Sequence, residues 1–175
     1  TGRLFGPTLR FGQWVRPLLP HTLRRRIPVR QDAARWTGGS RHGRRMLLPP
    51  GCVQPALTPE IDAATAHVLD ALQIEAVIAK PSCCGALRHH LGDDALDEIR
   101  RTIDSWWPHL ESGVEAIVMD GSACGAMVQE DAYLLREDVN YASKAARVAE
   151  LTRDLAELLP EHVEQLTRQA RRHEE

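Results

Sequence analysis

Short apolar runs alternate with segments of helical period from residue 46 onward. Three runs are continuous, short and bounded by turn residues, which is typical of buried strands; they are MLLPPGC (46–52), IEAVIA (74–79) and VEAIVM (114–119). Apolar residues recur every three or four positions in the segments between them. The order β-α-β-α-β-α-α predicts an α/β fold, a small three-layer parallel sheet of about three to four strands flanked by helices.

The helical segments carry recognisable start signals. In TPEIDAATAHVLDAL, Thr58 is a good N-cap and Pro59 suits the first helical position. A second helix is predicted in DDALDEIRRTIDSWWPHL, and a third runs from DGSACGAM to about Leu135. Residues 141–159 are predicted to form one long amphipathic helix, and Pro160 is predicted to open a last, charged helix.

Residues 1–45 show no clean period. Prolines are expected to break any long helix there, and WTGGSRHGRR (36–45) is typical of a flexible loop; these prolines are Pro7, Pro17, Pro20 and Pro28. We therefore predict an irregular, basic Pro/Arg-rich arm or linker over 1–45, a cysteine-rich domain over 46–159 and a charged C-terminal helix over 160–175.

The charge is unevenly distributed along the 175 residues. The net charge is −2, yet residues 1–45 hold eleven arginines and one acid, Asp32, so this arm carries +10 and the remainder −12. Nucleic acid and an anionic membrane surface would both suit such an arm. It lacks interleaved aromatics for base stacking, so we expect no nucleic acid and favour docking on its own acidic domain or on a partner subunit.

No stretch is long and apolar enough to span a bilayer, and the first residues lack the apolar core and cleavage site of a signal peptide. We therefore expect a cytoplasmic protein, in which the four cysteines are reduced.

Every predicted strand leads into a cysteine: Cys52 after the first, Cys83 and Cys84 after the second, and Cys124 after the third. The carboxyl ends of parallel strands meet at one edge of a sheet, where such folds place their ligands. We therefore expect the four thiols to converge. Flanking glycines would permit tight turns and close approach of the backbone to a bulky ligand; they are Gly51, Gly85, Gly121 and Gly125.

Three chemistries remain open for these thiols. Structural zinc accepts four cysteines, but usually through pairs separated by two to four residues, and the adjacent Cys83 and Cys84 would strain a single-ion site. A polynuclear iron–sulfur cluster relaxes this constraint because neighbouring thiolates can bind different irons. Buried structural or redox-active thiols are the third interpretation. We favour the cluster.

Several motifs together resemble the cysteine-rich CCG-domain family. The motifs GCVQPAL, ATAHVLDAL, CCGALRHH, EAIVMDGSACGAMVQE and YASKAARVAELTRDLAELL occur in order and position over about 46–160. They are most similar to the first such domain of glycolate oxidase (glycolate dehydrogenase) iron–sulfur subunits, which are related to subunits of heterodisulfide reductase and of lactate and glycerol-3-phosphate dehydrogenase systems.

The resemblance implies an electron-transfer subunit with an iron–sulfur cluster held by Cys52, Cys83, Cys84 and Cys124, with Gly85 and Gly125 beside the cofactor. It also implies flavin-containing partner subunits that oxidise glycolate to glyoxylate, and peripheral contact with the inner membrane through the complex. Gly121 stands where the family has a further cysteine, so four ligands suit a [4Fe–4S] cluster. The family's ferredoxin motifs and second CCG domain are absent from this sequence.

Other polar residues are expected to be structural. His89 and His90 could approach the cluster as hydrogen-bond donors or a spare ligand, but we interpret them as helix-surface or partly buried residues. Asp120 and Ser122 either tune the potential of the cluster or cap the helix that follows, and we favour capping. No nucleotide-binding or nucleophile motif and no general acid/base pair is found, so we expect no catalytic residue in this chain.

Overall fold

The computed structural model describes residues 2–29 and 42–174. Its described part contains one four-stranded sheet in the order β2-β1-β3-β4, with every neighbouring pair parallel. The strands are β1 Arg44–Leu48, β2 Ile74–Ile78, β3 Ile117–Met119 and β4 Thr152–Asp154. The predicted α/β fold with a small parallel sheet is confirmed.

The helices, in chain order, are α1 Gly2–Val15, α2 His21–Arg24, α3 Gln54–Leu57, α4 Pro59–Ala71, α5 Ala86–His90, α6 Leu96–Glu111, α7 Ser122–Leu134, α8 Ala142–Leu151 and α9 Leu155–Glu174. A 3₁₀ turn, Arg16–Leu18, lies between α1 and α2. None of the described helices is long and apolar enough to cross a lipid bilayer.

Alternation along the strands divides the core into two layers. Met46 and Val118 pack on one face of the sheet with apolar side chains of α4 and α9. Leu47 and Ile117, their neighbours in sequence, pack on the opposite face with side chains of α6, α7 and α8. Successive side chains of a strand point to opposite faces, so helices cover both sides and the predicted three-layer arrangement is confirmed.

The single long helix expected over 141–159 is wrong. Helix α8 ends at Leu151, and residues 152–154 form β4, which pairs with β3 in the register Ile117↔Thr152. Thr152 is fully buried, and its Oγ1 donates a hydrogen bond to the carbonyl oxygen of Val148 at 2.8 Å. The apolar period of the helix continues through this segment, so its sequence does not indicate a strand. The strand forms because the edge of β3 offers backbone groups with which residues 152–154 can pair.

Pro160 does not open the last helix. Helix α9 begins at Leu155, and Pro160 lies inside it. The start is marked instead by Asp154, whose Oδ1 accepts a hydrogen bond from the backbone N–H of Ala156 at 2.8 Å. A carboxylate that accepts from the first helical N–H groups is a typical start signal, and it outweighs the signal of the proline.

The N-terminal arm is more regular than expected. Helix α1 spans fourteen residues with Pro7 inside it, so the prediction of an irregular arm is wrong for this stretch. Gly12 of α1 lies against Ile27, where an added Cβ would be 3.7 Å from the isoleucine Cδ1. Most of the loop predicted at 36–45 lies outside the described residues, whereas Arg44 and Arg45 belong to β1.

Candidate metal centre

The fold brings all four cysteines to the carboxyl edge of the sheet, as expected. Cys52 lies between β1 and α3, Cys83 and Cys84 lie between β2 and α5, and Cys124 is the third residue of α7. All four thiols are free of disulfides; Cys84 is 9% exposed and the others are partly buried.

Cys52 and Cys83 form one thiol pair. The Sγ–H of Cys52 donates a hydrogen bond to the sulfur of Cys83, which raises the pKa of Cys52, and burial raises it further. The same bond lowers the pKa of Cys83 to about 6, assisted by the backbone N–H of Gly85 and opposed by burial and by the charge of Glu98. Cys83 is therefore the thiolate of this pair.

Cys84 and Cys124 form the second pair. The hydrogen bond that Cys84 donates to Cys124 raises the pKa of Cys84, and burial acts in the same direction. It lowers the pKa of Cys124 against the effect of burial and against the negative charges of Cys52, Cys83 and Asp120. Charges on the two pairs thus act on one another, so the four sulfurs titrate as one coupled set.

Backbone groups and helix α6 fix the loop that carries Cys83 and Cys84. The backbone N–H groups of Gly85 and Ala86 donate to the sulfurs of Cys83 and Cys84, respectively. Thr102, buried on α6, donates from Oγ1 to the carbonyl oxygen of Cys83 at 2.8 Å. The two adjacent thiols are therefore held in place by the fold before any ligand binds.

The arrangement fits a polynuclear group better than a single ion. Within 2–29 and 42–174, no three His, Cys, Asp or Glu side chains converge closely enough to hold one metal ion. The sulfurs instead form two hydrogen-bonded pairs whose charges act on each other. Zinc needs its ligands around one point, whereas the thiolates of an iron–sulfur cluster bind different irons and surround a larger volume.

The glycines predicted beside the cofactor have identifiable backbone roles. Gly85 has φ of +84°, and a Cβ there would lie 3.1 Å from the Cβ of Ala95. At Gly125 a Cβ would lie 3.3 Å from that of Met119, so this glycine lets α7 approach β3 closely. Gly121 differs, because its φ is −120° and an added Cβ would meet only the Oε1 of Gln54, at 3.8 Å.

The structure corrects the expected role of Asp120 and Ser122. Gly121 is the N-cap residue of α7, and no side chain caps that helix. Asp120 instead accepts a hydrogen bond from Thr65 Oγ1 at 3.3 Å. His89 is partly buried and His90 exposed, with their rings 5.8 Å apart.

The sequence interpretation missed Asp131, a buried acid beside the thiols. It is 1% exposed, and its Oδ1 has no hydrogen-bond partner among the described residues. Burial raises its pKa to about 8, and the charges of Cys84 and Glu130 act in the same direction. The sequence carries a signal for it, because Asp131 interrupts the apolar stripe formed by Cys124 and Val128 on α7 and by Leu135, the C-cap residue of that helix.

Comparisons with known proteins show which family the chain resembles. Residues 47–129, which include all four cysteines, match the CCG family, described as a cysteine-rich domain. The chain is 43% identical over 161 residues to the glycolate oxidase iron–sulfur subunit of Escherichia coli (strain K12), an alignment that covers 90% of this chain and 40% of that protein.

A second relative is more distant. The probable glycolate oxidase iron–sulfur subunit of Bacillus subtilis (strain 168) is 26% identical over 120 residues, which are 67% of this chain and 27% of that protein. The chain thus spans well under half the length of either relative. The resemblance recognised in the sequence motifs is confirmed. No solved structure matches the chain.

We predict that Gly85→Ala destabilises the protein by about 1–3 kcal/mol, because alanine is strained at a positive φ and its Cβ would crowd Ala95. Denaturant unfolding measures the change. The control Gly121→Ala has ordinary backbone angles and open space, so it should leave the free energy of unfolding nearly unchanged. Equal losses in the two variants would contradict the assignment.

Cys83 should be the most readily alkylated of the four thiols at neutral pH in the metal-free protein, with a midpoint near pH 6. The Cys52→Ala variant removes the hydrogen bond to its sulfur and should raise that midpoint by about one unit or more, whereas Cys52→Ser keeps a donor and should raise it less. Iodoacetamide labelling followed by peptide mass spectrometry tests this. An unchanged midpoint in Cys52→Ala would exclude the pairing.

Asp131 should make the stability of the metal-free protein depend on pH. Between the unfolded value of 3.8 and about 8, the folded chain holds a proton that the unfolded chain lacks. The free energy of unfolding therefore falls as pH rises, by at most about 1.4 kcal/mol per unit. Asp131→Asn should lose this component in denaturant titrations, while the exposed neighbour variant Glu130→Gln keeps it; identical slopes in all three proteins would refute the prediction.

Proposed function

Since residues 47–129 make this chain a member of the cysteine-rich CCG-domain family, we propose that it is an iron–sulfur electron-transfer segment of a glycolate oxidase complex. The observation that carries the proposal is the pair of thiol–thiol contacts at the sheet edge. Four sulfurs coupled in one place match the ligand number of a [4Fe–4S] cluster. When bound, such a cluster accepts and donates single electrons.

Cys52, Cys83, Cys84 and Cys124 would hold the cluster, and their protonation indicates how. The hydrogen bonds lower the pKa of Cys83 to about 6 and lower that of Cys124, whereas they raise the pKa values of Cys52 and Cys84. Ligation by four thiolates therefore displaces the protons of the two thiol–thiol hydrogen bonds. When these protons leave, the sulfurs that accepted the hydrogen bonds, those of Cys83 and Cys124, bind the cluster as well. Neither sulfur is therefore left without a partner.

The substrate chemistry belongs elsewhere in the proposed complex. In this proposal, flavin-containing partner subunits oxidise glycolate to glyoxylate and pass electrons to this chain. The complex works in the cytoplasm, with peripheral contact to the inner membrane. The basic arm would dock on an acidic partner surface, because the arginines at 10, 24, 25 and 26 are exposed and form no ion pair with the described residues.

Anaerobic loading with iron and sulfide tests the proposal. We expect about four irons and four acid-labile sulfides per chain, with broad visible absorption. Cys83→Ser and Cys124→Ser should each lose most of the iron, whereas Ser122→Ala, an exposed neighbour of Cys124, should retain it.

A chain that takes up no iron, or that binds zinc in its place, would overturn the proposal and leave the thiols with a structural role. Full iron content in both serine variants would refute the ligand assignment while leaving the cluster itself in place.

A further inference from the structure

Helix α1 and the 3₁₀ turn that follows it carry an apolar stripe on their exposed side. Phe11, Trp14 and Leu18 follow one another at spacings of three and four residues, which place side chains on one side of a helical segment. Their exposed fractions are 63%, 76% and 84%, and the ring centroids of Phe11 and Trp14 lie 6.2 Å apart. We call these three residues the aromatic stripe. A contiguous set of exposed large apolar side chains typically marks an interaction surface.

The other side of α1 is held by the protein's own chain. At Gly12, an added Cβ would lie 3.7 Å from Cδ1 of Ile27, and Arg16 donates a hydrogen bond from Nε to the carbonyl oxygen of Ile27 at 3.1 Å. Helix α1 also packs against α3. The arm is therefore folded on itself and on the domain, and these contacts leave the aromatic stripe exposed to solvent.

Arginines lie next to the aromatic stripe. Residues 2–29 contain six arginines and no acidic residue. Arg10 precedes Trp14 by one helical turn, and the arginine run 24–26 comes directly before Ile27, which lies against α1. These four arginines are exposed, and none forms an ion pair with a residue that the structure describes. Charge complementarity therefore favours an acidic surface as the partner of the stripe.

The acidic body of the chain does not supply that surface within 2–29 and 42–174. Its carboxylates form ion pairs with arginines of the domain itself, among them Arg44, Arg88 and Arg100. The arm thus contacts the domain through the side that carries Gly12 and Ile27, while the stripe and its arginines face solvent. A separate molecule has to provide the acidic surface.

The position of the stripe favours a protein over a lipid surface as that molecule. Helix α3, against which α1 packs, begins two residues after Cys52. A subunit docked on α1 is therefore held beside the thiol centre, as exchange of electrons with that centre requires. Anionic lipids would attract the same arginines, but they would bring no redox group to the centre. The composition of the surface agrees, because aromatic side chains and arginine are enriched in protein interfaces.

We propose that the aromatic stripe and the arginines at 10 and 24–26 form the docking surface for a partner subunit whose contact face has an apolar pocket with an acidic rim. The rings of Phe11 and Trp14 fill the pocket, and the guanidinium groups pair with carboxylates around it. The inference rests on the proposed function, which supplies the identity of the partner, a flavin-containing subunit of the complex.

Binding of the purified flavin-containing subunits to the immobilised 175-residue chain tests the inference. Phe11→Ala and Trp14→Ala should each weaken binding about tenfold or more, because loss of a buried aromatic anchor is among the costliest changes in an interface. Trp14→Phe keeps a ring and should retain most of the affinity. The matched control Tyr133→Ala removes a ring on α7 that is 67% exposed, and it should bind like the wild type.

Charge reversal tests the arginines separately. Arg25→Glu should weaken binding about tenfold, mainly through slower association, and the difference from the wild type should shrink at high salt. The control Arg101→Glu reverses an exposed arginine on α6 and should have a much smaller effect. Every replaced side chain is exposed, so thermal unfolding of the variants should match that of the wild type.

Equal affinities of the wild type and Trp14→Ala for the subunits would overturn the inference. Absence of binding to the subunits would do so as well, including the case in which the stripe binds phosphatidylglycerol vesicles instead. Neither result affects the proposed function, which iron uptake tests independently of binding. Conversely, a chain that takes up no iron but binds the subunits through Phe11 and Trp14 would support the docking surface and overturn the electron-transfer role.

Discussion

Two hydrogen bonds between sulfur atoms, Cys52 to Cys83 and Cys84 to Cys124, depend on the parallel direction of β1, β2 and β3. Parallel strands put the segments that follow them at one edge of a sheet, and here a cysteine comes four or five residues after the end of each of the three strands. An antiparallel β2 would move Cys83 and Cys84 to the other edge. The position of all four thiols therefore depends on the sheet topology. Helix α6 holds the loop of Cys83 and Cys84 through the hydrogen bond from Thr102 to the carbonyl oxygen of Cys83.

The centre is an accumulation of groups that become anionic when they lose a proton. The charge of Glu98 raises the pKa of Cys83, and that of Asp120 raises the pKa of Cys124. The charge of Cys84 in turn raises the pKa of Asp131. The fold accommodates this by keeping protons on some of these groups, and Asp131 is held neutral by burial up to about pH 8. Added negative charge at such a centre favours binding of protons, so the charge of the centre depends on pH.

Local signals predicted the elements near the site well, because there the apolar pattern and the turn residues agree. The Thr58-Pro59 start of α4 and the run 74–79 lie within one residue of their observed positions. The prediction failed where a local pattern conflicts with a long-range contact. Residues 152–154 continue a helical period, yet their backbone pairs with β3. Pro160 resembles a start signal, yet α9 begins five residues before it, at Leu155, after the capping residue Asp154.

By itself, the sequence determined that four thiols follow three strand ends, and hence that they gather at one edge. This needs only strand order and the handedness of parallel connections. The tertiary structure alone decided which sulfur bonds to which, since the neighbours Cys83 and Cys84 bond to cysteines that follow different strands, Cys52 and Cys124. It also decided that Thr65 of α4 donates a hydrogen bond to Asp120, 55 residues further along the chain, and that Asp131 is buried. Such contacts depend on how the helices lie across the sheet, and no local pattern of residues encodes the distance between residues so far apart in the chain.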